Sequence, residues 1–363
     1  MAENPFTPSF GEIPAHLAGR RQIIADMTRA LSSERRRPEL TTIFSGARGM
    51  GKTTLLACLA NKAEANGWIS VSTTALPGML DDVEIVLRKK AVHLLEPQPG
   101  KTLSGFEVAG VGLSFDQAEK PRDNWRSRMT DLLDELAPTG AGVLITVDEL
   151  DPTLDEMVEL AAVYQHFIRE NRKVALLMAG LPHNVSALLN NKTVSFLRRA
   201  QQVQLGRVDD FEVEEALART IREAGREVSR EGLGYATEHI GGFPFLIQLV
   251  GYRAWDVEPD APQVSEADLE EGVRLARLEM ESRILRATFS ELSESDVKFV
   301  RAMLADEKFS KVSDLAERLE WSQSQVSQYR RRLIDAGVVC PRGRGVVEFE
   351  MPYFREFLEG EEA

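Results

Sequence analysis

Up to Leu205 the chain alternates between two hydrophobic periods. Residues 41–45, 68–73, 143–147, 174–178 and 201–205 are short runs rich in apolar or β-branched side chains, and they read as strands. Between them lie stretches with helical spacing. One carries Ile23, Ile24, Met27 and Leu31. The others cover 53–66, closed by Asn66-Gly67, then 79–95, 123–137, 154–171 and 184–200. The runs 143–147 and 174–178 are almost wholly apolar, so both faces must be covered. Strand and helix in alternation with short turns predict an α/β fold, a parallel sheet with helices on both sides. Two stretches depart from this. Before Arg20, Asn4-Pro5-Phe6-Thr7-Pro8 and Ile13-Pro14 forbid regular helix. In 101–120, Phe106 to Phe115 alternate around Gly110 and Gly112, which predicts an inserted β-hairpin and a candidate surface for a protein partner not yet identified.

After Gly206 the strands stop. Residues 210–224, 229–239, 243–257 and 266–289 predict helices, with Asp260-Ala261-Pro262 as a turn among them. A third unit begins near Glu291. Ser293 caps a helix reaching Leu304, and a second helix runs from Lys311 to Leu319. A third starts near Trp321, with Ser322 or Ser324 as its cap and Val326, Tyr329, Leu333 and Ile334 as its buried stripe. Residues 338–349 predict a hairpin with a basic, glycine-rich tip. The expected division is 1–206, with the insertion at 101–120, then 207–290 and 291–363.

Composition narrows the class. Of 363 residues 43% are apolar and 28% charged, as in an ordinary globular protein of two or three domains. No apolar run is long enough to cross a membrane, and the first residues lack the features of a signal peptide. Cys58 and Cys340 lie in apolar stretches and are expected to be buried free thiols of a cytoplasmic protein. The net charge of −13 argues against coating nucleic acid by bulk charge and leaves room for a local basic patch.

The chemistry concentrates after the first strand. Gly46, Ala47, Arg48, Gly49, Met50, Gly51, Lys52 and Thr53 fit G-x-x-x-x-G-K-[ST] without mismatch, and Thr54 continues into a helix. Glycines let the loop bring backbone N–H groups onto phosphate oxygens, and the helix adds its own free N–H groups. Lys52 is placed for the outer phosphates and the Thr53 hydroxyl for Mg²⁺. About 95 residues further on, an apolar strand ends in Asp148-Glu149. There Asp148 is expected to hold Mg²⁺ and Glu149 to polarise the attacking water. Arg198 or Arg199, just before the last strand, is a candidate for reaching the γ-phosphate of a neighbouring subunit. Gly241-Gly242-Phe243-Pro244-Phe245 opens a helix.

Together these residues resemble the AAA+/STAND superfamily of P-loop ATPases over roughly residues 10–290. In that resemblance 46–53 is Walker A and Asp148-Glu149 is Walker B. Leu17-Ala18-Gly19-Arg20 is similar to the segment whose Gly-Arg contacts adenine. Gly242-Phe243-Pro244 is similar to the G-x-P signature whose proline, here Pro244, lies against the nucleotide. Residues 209–289 look like the helical lid, and 291–363 resemble a winged helix-turn-helix domain. This order also resembles archaeal and eukaryotic origin-recognition initiators. Two departures stand out. The lid has Gly-Phe-Pro where the initiators carry a sensor-2 arginine. The strand 174–178 runs into Ala179-Gly180-Leu181-Pro182 where a polar sensor is usual, leaving His183 or Asn184 as the substitute. The departures imply a slow ATP/ADP switch rather than a motor, one that self-associates with ATP.

The winged-helix resemblance implies DNA contact. Gln323, Ser324, Gln325, Ser327 and Gln328 would face base edges, and Arg330, Arg331, Arg342 and Arg344 would face phosphates. Against this, the unit from Glu291 onward carries 11 basic and 15 acidic residues. The alternative is a signalling or defence ATPase of STAND type in which the winged helix is structural or binds protein. A third reading, a scaffold that binds ATP without hydrolysing it, is disfavoured by Glu149.

Overall fold

The computed structural model describes residues 3–9, 11–95 and 124–361. Its first part alternates β1 (Thr41–Ser45), β2 (Trp68–Thr74), β3 (Gly142–Asp148), β4 (Val174–Gly180) and β5 (Gln201–Gln204) with helices. The helices are α1 (Arg21–Leu31), α2 (Lys52–Ala65), α3 (Met79–Ala91), α4 (Trp125–Leu136), α5 (Asp155–Arg169) and α6 (Pro182–Asn190). The sheet order is β2-β3-β4-β1-β5 and every pairing is parallel. Its register matters for function. Ser45 lies opposite Gly180, and Thr74 opposite Asp148, so the carboxyl ends of the strands form one edge. That edge is where ligands bind in open parallel sheets.

The apolar strands are covered on both faces. Ile43, Ile145, Leu176 and Met178 pack with α3 to α6 on one side. Phe44, Leu144, Ala175 and Leu177 belong to the cluster on the other side, which also takes in α1 and α2. Burying each of these side chains contributes about 1.5–3 kcal/mol, which offsets the ordering cost of strands that have no polar alternation.

A helical unit follows: α7 (Asp210–Glu223), α8 (Arg230–Ile240), α9 (Pro244–Trp255) and α10 (Glu266–Met280). The short strands β6 (Glu227–Val228) and β7 (Gln263–Val264) brace it. A π-turn over Glu281–Leu285 continues α10 into α11 (Arg286–Ser290). The last part runs α12 (Glu294–Ala302), β8 (Ser310–Lys311), α13 (Val312–Leu319), α14 (Gln323–Asp335), β9 (Val339–Pro341), β10 (Val346–Phe349) and α15 (Phe354–Gly360). That is the element order of a winged helix. Ser322 caps α14 through a reciprocal capping box with Gln325, and Val326 and Leu333 are its fully buried stripe. The second apolar cluster runs unbroken from Phe44 through Phe243 and Leu285 to Val326 and Val347.

Some elements differ from expectation. The helix expected over 184–200 stops at Asn190. The Asn191 side chain accepts from Thr193 N, and a separate 3-10 turn covers Ser195–Arg199. The helix expected over 79–95 stops at Ala91. Cys58 is buried as expected, but Cys340 is only half-buried and donates to the Glu348 carboxylate at 3.5 Å. The hairpin expected over 101–120 lies outside the described residues. No helix among the described residues is long and apolar enough to cross a membrane.

Candidate nucleotide site

The loop between β1 and α2 takes its shape from its glycines. Gly49 and Gly51 have φ of 80° and 75°, the left-handed region that other residues enter only with strain. A Cβ on Gly49 would lie 2.7 Å from the Phe243 ring, and one on Gly46 would lie 2.7 Å from Leu205 O. Gly51 precedes α2 without a side-chain cap, so the first N–H groups of the helix are free for a ligand. The Lys52 ammonium is buried and donates to Gly46 O and Ala47 O, both at 3.0 Å. Burial lowers its pKa from the ordinary lysine value, while Glu149 and Asp148 partly restore it.

Thr53 Oγ1 donates to Asp148 Oδ2 at 2.6 Å. The other carboxylate oxygen of Asp148 accepts from Glu149 N at 2.9 Å. Glu149 is exposed and has φ of 51°, one of four non-glycine residues in that region among those described. Such strain at the ligand edge of a sheet is characteristic of a functional position. A crowded glycine cradle, an uncapped helix start, a buried ammonium and a hydroxyl–carboxylate pair are the donor set that fits a nucleoside triphosphate with Mg²⁺.

The helical unit closes over this loop. Phe243 is buried against Gly49, and Pro244, the first residue of α9, has its Cβ 3.8 Å from where a Gly51 Cβ would lie. Arg20 lies against the same loop. Its guanidinium donates to Gly19 O at 3.1 Å, Met50 O at 3.3 Å and Gly206 O at 3.1 Å, and its burial lowers its pKa. It braces the loop against the chain on either side. Beside it a cavity of about 380 Å³ is lined by Leu17, Ala18, Ile24, Cys58, Lys62 and Glu212, one helical turn along α2 from Thr54. A larger groove of about 550 Å³, around Phe211 between α7 and α8, includes none of the phosphate-loop residues.

The last unit also reaches the loop, which no local pattern in the sequence announces. A Cβ on Gly337, in the turn that ends α14, would lie 3.2 Å from Ala47 Cβ and 3.9 Å from Arg48 N. Arg48 pairs with Glu291 at 3.1 Å. Met351 is buried and lines a cavity of about 210 Å³ with Arg48, Gly49, Phe243 and Met280. His183, at the start of α6, meets Asp335 O through Nδ1 at 2.8 Å, with Asn184 half-buried beside it.

The remaining expected residues fall in separate places. Arg198 and Arg199 are both exposed on the 3-10 turn, and Arg198 donates to Leu189 O at 2.8 Å. Gln323, Ser324, Gln325, Ser327 and Gln328 are exposed on the first half of α14, although Gln325 also closes the cap. Arg330 is half-buried, and its Nε is buried without a partner. Arg331 is exposed and 3.9 Å from Asp335, while Arg332 pairs with Asp296 at 3.0 Å. On the wing, Arg342 pairs with Glu348, whereas Arg344 is exposed and forms no ion pair among the described residues.

This combination of parallel sheet, glycine cradle and paired acidic strand end defines a P-loop α/β fold. Residues 35–189 match the AAA domain family, and residues 282–358 match a domain of unknown function. Among solved structures the chain is similar to the Walker-type ATPase PABY2304 of Pyrococcus abyssi. The identity is 15%, the TM-score 0.68, and the match covers 94% of this chain and 96% of that one. It is similar to the Aeropyrum pernix ORC2 protein in its ADPNP-ADP complexes at 14% identity and TM-score 0.64, over 97% and 96% of the two chains. It is also similar to CDC6p of Pyrobaculum aerophilum at 15% identity and TM-score 0.51, over 98% and 97%. At these identities the likeness is one of fold. No curated protein sequence matches the chain.

Proposed function

We propose that the chain binds ATP and hydrolyses it slowly, and that its nucleotide state sets how a DNA-contacting winged helix is seated. The observation that carries this reading is the contact of Gly337 with Ala47. The turn ending the DNA-reading helix lies on the phosphate loop itself, so a change in loop shape is felt there directly. In this reading the units are 1–206, 207–290 and 291–363. Lys52 and the amides of 48–53 hold phosphates, Thr53 and Asp148 hold Mg²⁺, and Glu149 orients the attacking water. The cavity beside Cys58 and Glu212 takes the base. Mg²⁺, when bound, neutralises phosphate charge. Nucleotide-bound ORC2, a relative in fold, supports ATP and ADP as the ligands. The exposed Arg198 and Arg199 support a contact in trans, hence association of copies with ATP.

The test has two arms. Glu149→Gln should keep ATP binding and lose turnover, and Lys52→Ala should lose both. Light scattering in ADP and in an ATP analogue, with and without duplex, should show a nucleotide-dependent change of mass. A turnover number independent of protein concentration would count against the arginine in trans. A second reading, a STAND-type signalling ATPase, is favoured by one observation: Arg332 and Arg342 are both tied to acids of their own unit. Failure of every duplex to bind at low salt would decide for it.

A further inference from the structure

Glu348 sits on β10 with only 5% of its surface exposed. A buried carboxylate is costly unless a cation and hydrogen bonds accompany it. Its principal partner is Arg342 Nε, at the wing, a side chain that is otherwise half exposed. Cys340 donates to the same carboxylate oxygen. A second cation waits close by. Arg207 Nη2 lies 3.9 Å from Glu348 and donates to Phe349 O at 3.1 Å and Glu350 O at 2.8 Å. Arg207 is not part of the wing. It belongs to the link between β5 and α7, beside Val208, whose N–H donates to Gly242 O at 2.7 Å in the segment that leads onto the phosphate loop.

We propose that Glu348 is a gate on the wing's grip on nucleic-acid phosphate. While Glu348 holds Arg342, that guanidinium is withheld and Arg344 alone supplies the wing's phosphate contact. Arg207 is the cation that lets Glu348 release Arg342, because it can take over the buried carboxylate without leaving it uncompensated. The grip of the wing is thereby tied to the link between the sheet and the helical unit. Glu350 adds negative charge beside Arg342 and deepens the hold. This inference rests on the DNA-contacting reading above.

The experiment is the salt dependence of binding of the full chain to a short labelled duplex, followed by fluorescence anisotropy. Each phosphate neutralised contributes about 0.9 to the slope of log K against log salt. Arg344→Ala should flatten the slope by about that amount. Arg342→Ala in the otherwise unchanged chain should leave it nearly unaltered. Glu348→Gln should steepen it by about 0.9 and tighten binding several-fold, and the double variant R342A/E348Q should abolish that gain. Arg342→Ala flattening the slope as much as Arg344→Ala, with Glu348→Gln no steeper, overturns the gate and leaves DNA binding intact. No binding by wild type and by Glu348→Gln overturns the DNA reading and the gate with it. Should Glu348→Gln not fold, the comparison of Arg342→Ala with Arg344→Ala carries the test alone.

Discussion

Gly337 offers the sharpest perturbation of the seat on the phosphate loop. It follows the last residues of α14 with φ of 72°, so it also serves as that helix's C-terminal glycine. Alanine there would damage cap and seat together. Asparagine separates them, because it enters the left-handed region readily and keeps the cap. Its Cβ would lie 3.2 Å from Ala47 Cβ, tighter than ordinary contact, and the amide beyond that Cβ needs more room still. The seat must open, and the magnitude follows from what is then lost. The His183–Asp335 hydrogen bond is worth about 1 kcal/mol, and the burial of Met351 about 2 kcal/mol. The Arg48–Glu291 pair, with both side chains about half exposed, adds little. The total of about 3 kcal/mol corresponds to roughly a hundredfold fall in the seated population. Hydrogen exchange of the amides at 46–50, read without nucleotide, should rise by that factor while the rest of the sheet stays protected. Ala47→Gly in the same chain should recover part of the protection by making room. Gly337→Asn with wild-type protection of those amides, or with a uniform loss across the sheet, would refute the reasoning.

Three further outcomes follow. Glu149→Gln should lower turnover by at least about a hundredfold with ATP affinity retained, as measured by single-turnover hydrolysis and equilibrium binding. Gly49→Ala should destabilise the fold by about 2–4 kcal/mol in denaturant melts, from its left-handed backbone and its collision with Phe243, and a second change of Phe243→Leu should recover only the packing part. Lys52→Met should raise the melting temperature while abolishing nucleotide binding. Burial lowers the lysine pKa in the folded chain, so the unfolded chain holds that proton more tightly. The resulting penalty is full below the lowered value and fades as pH rises through it towards the ordinary lysine value. Wild type should therefore gain stability over that window relative to Lys52→Met, and parallel pH profiles for the two would contradict the assignment.

The phosphate loop was legible because its glycines, lysine and threonine impose local geometry at fixed spacing, whatever the rest of the chain does. Asp148-Glu149 was legible for a related reason: an apolar strand in a parallel sheet delivers its last residues to the ligand edge. A cap at Ser322 or Ser324 and a stripe of Val326, Tyr329, Leu333 and Ile334 followed from helical periodicity, and the structure takes Ser322 as the cap and buries Val326 and Leu333 fully. What stayed hidden was pairing over long separations. Nothing near Gly337 marks it as facing Ala47, and nothing near Glu291 marks Arg48. Arg342 reads as a phosphate ligand from its neighbours, yet it is held by Glu348 across the hairpin. Nothing near Arg20 marks Gly206 O as a partner of its guanidinium. The break at Asn191 lay below the helical period, because two adjacent asparagines weaken a helix without forbidding it. The strand β8 is too short to carry any period.

The apolar cluster that contains both Phe44 and Val347 has a consequence for how such chains can change over evolutionary time. A winged helix joined by a flexible tether can be exchanged for another between proteins. Here Met351, Leu285 and Phe243 share one interior, so a transplanted module would have to match that surface residue for residue. The last unit and the unit that carries the phosphate loop are therefore constrained to diverge together, and hybrids made by joining halves of distant relatives should fail at this seam first.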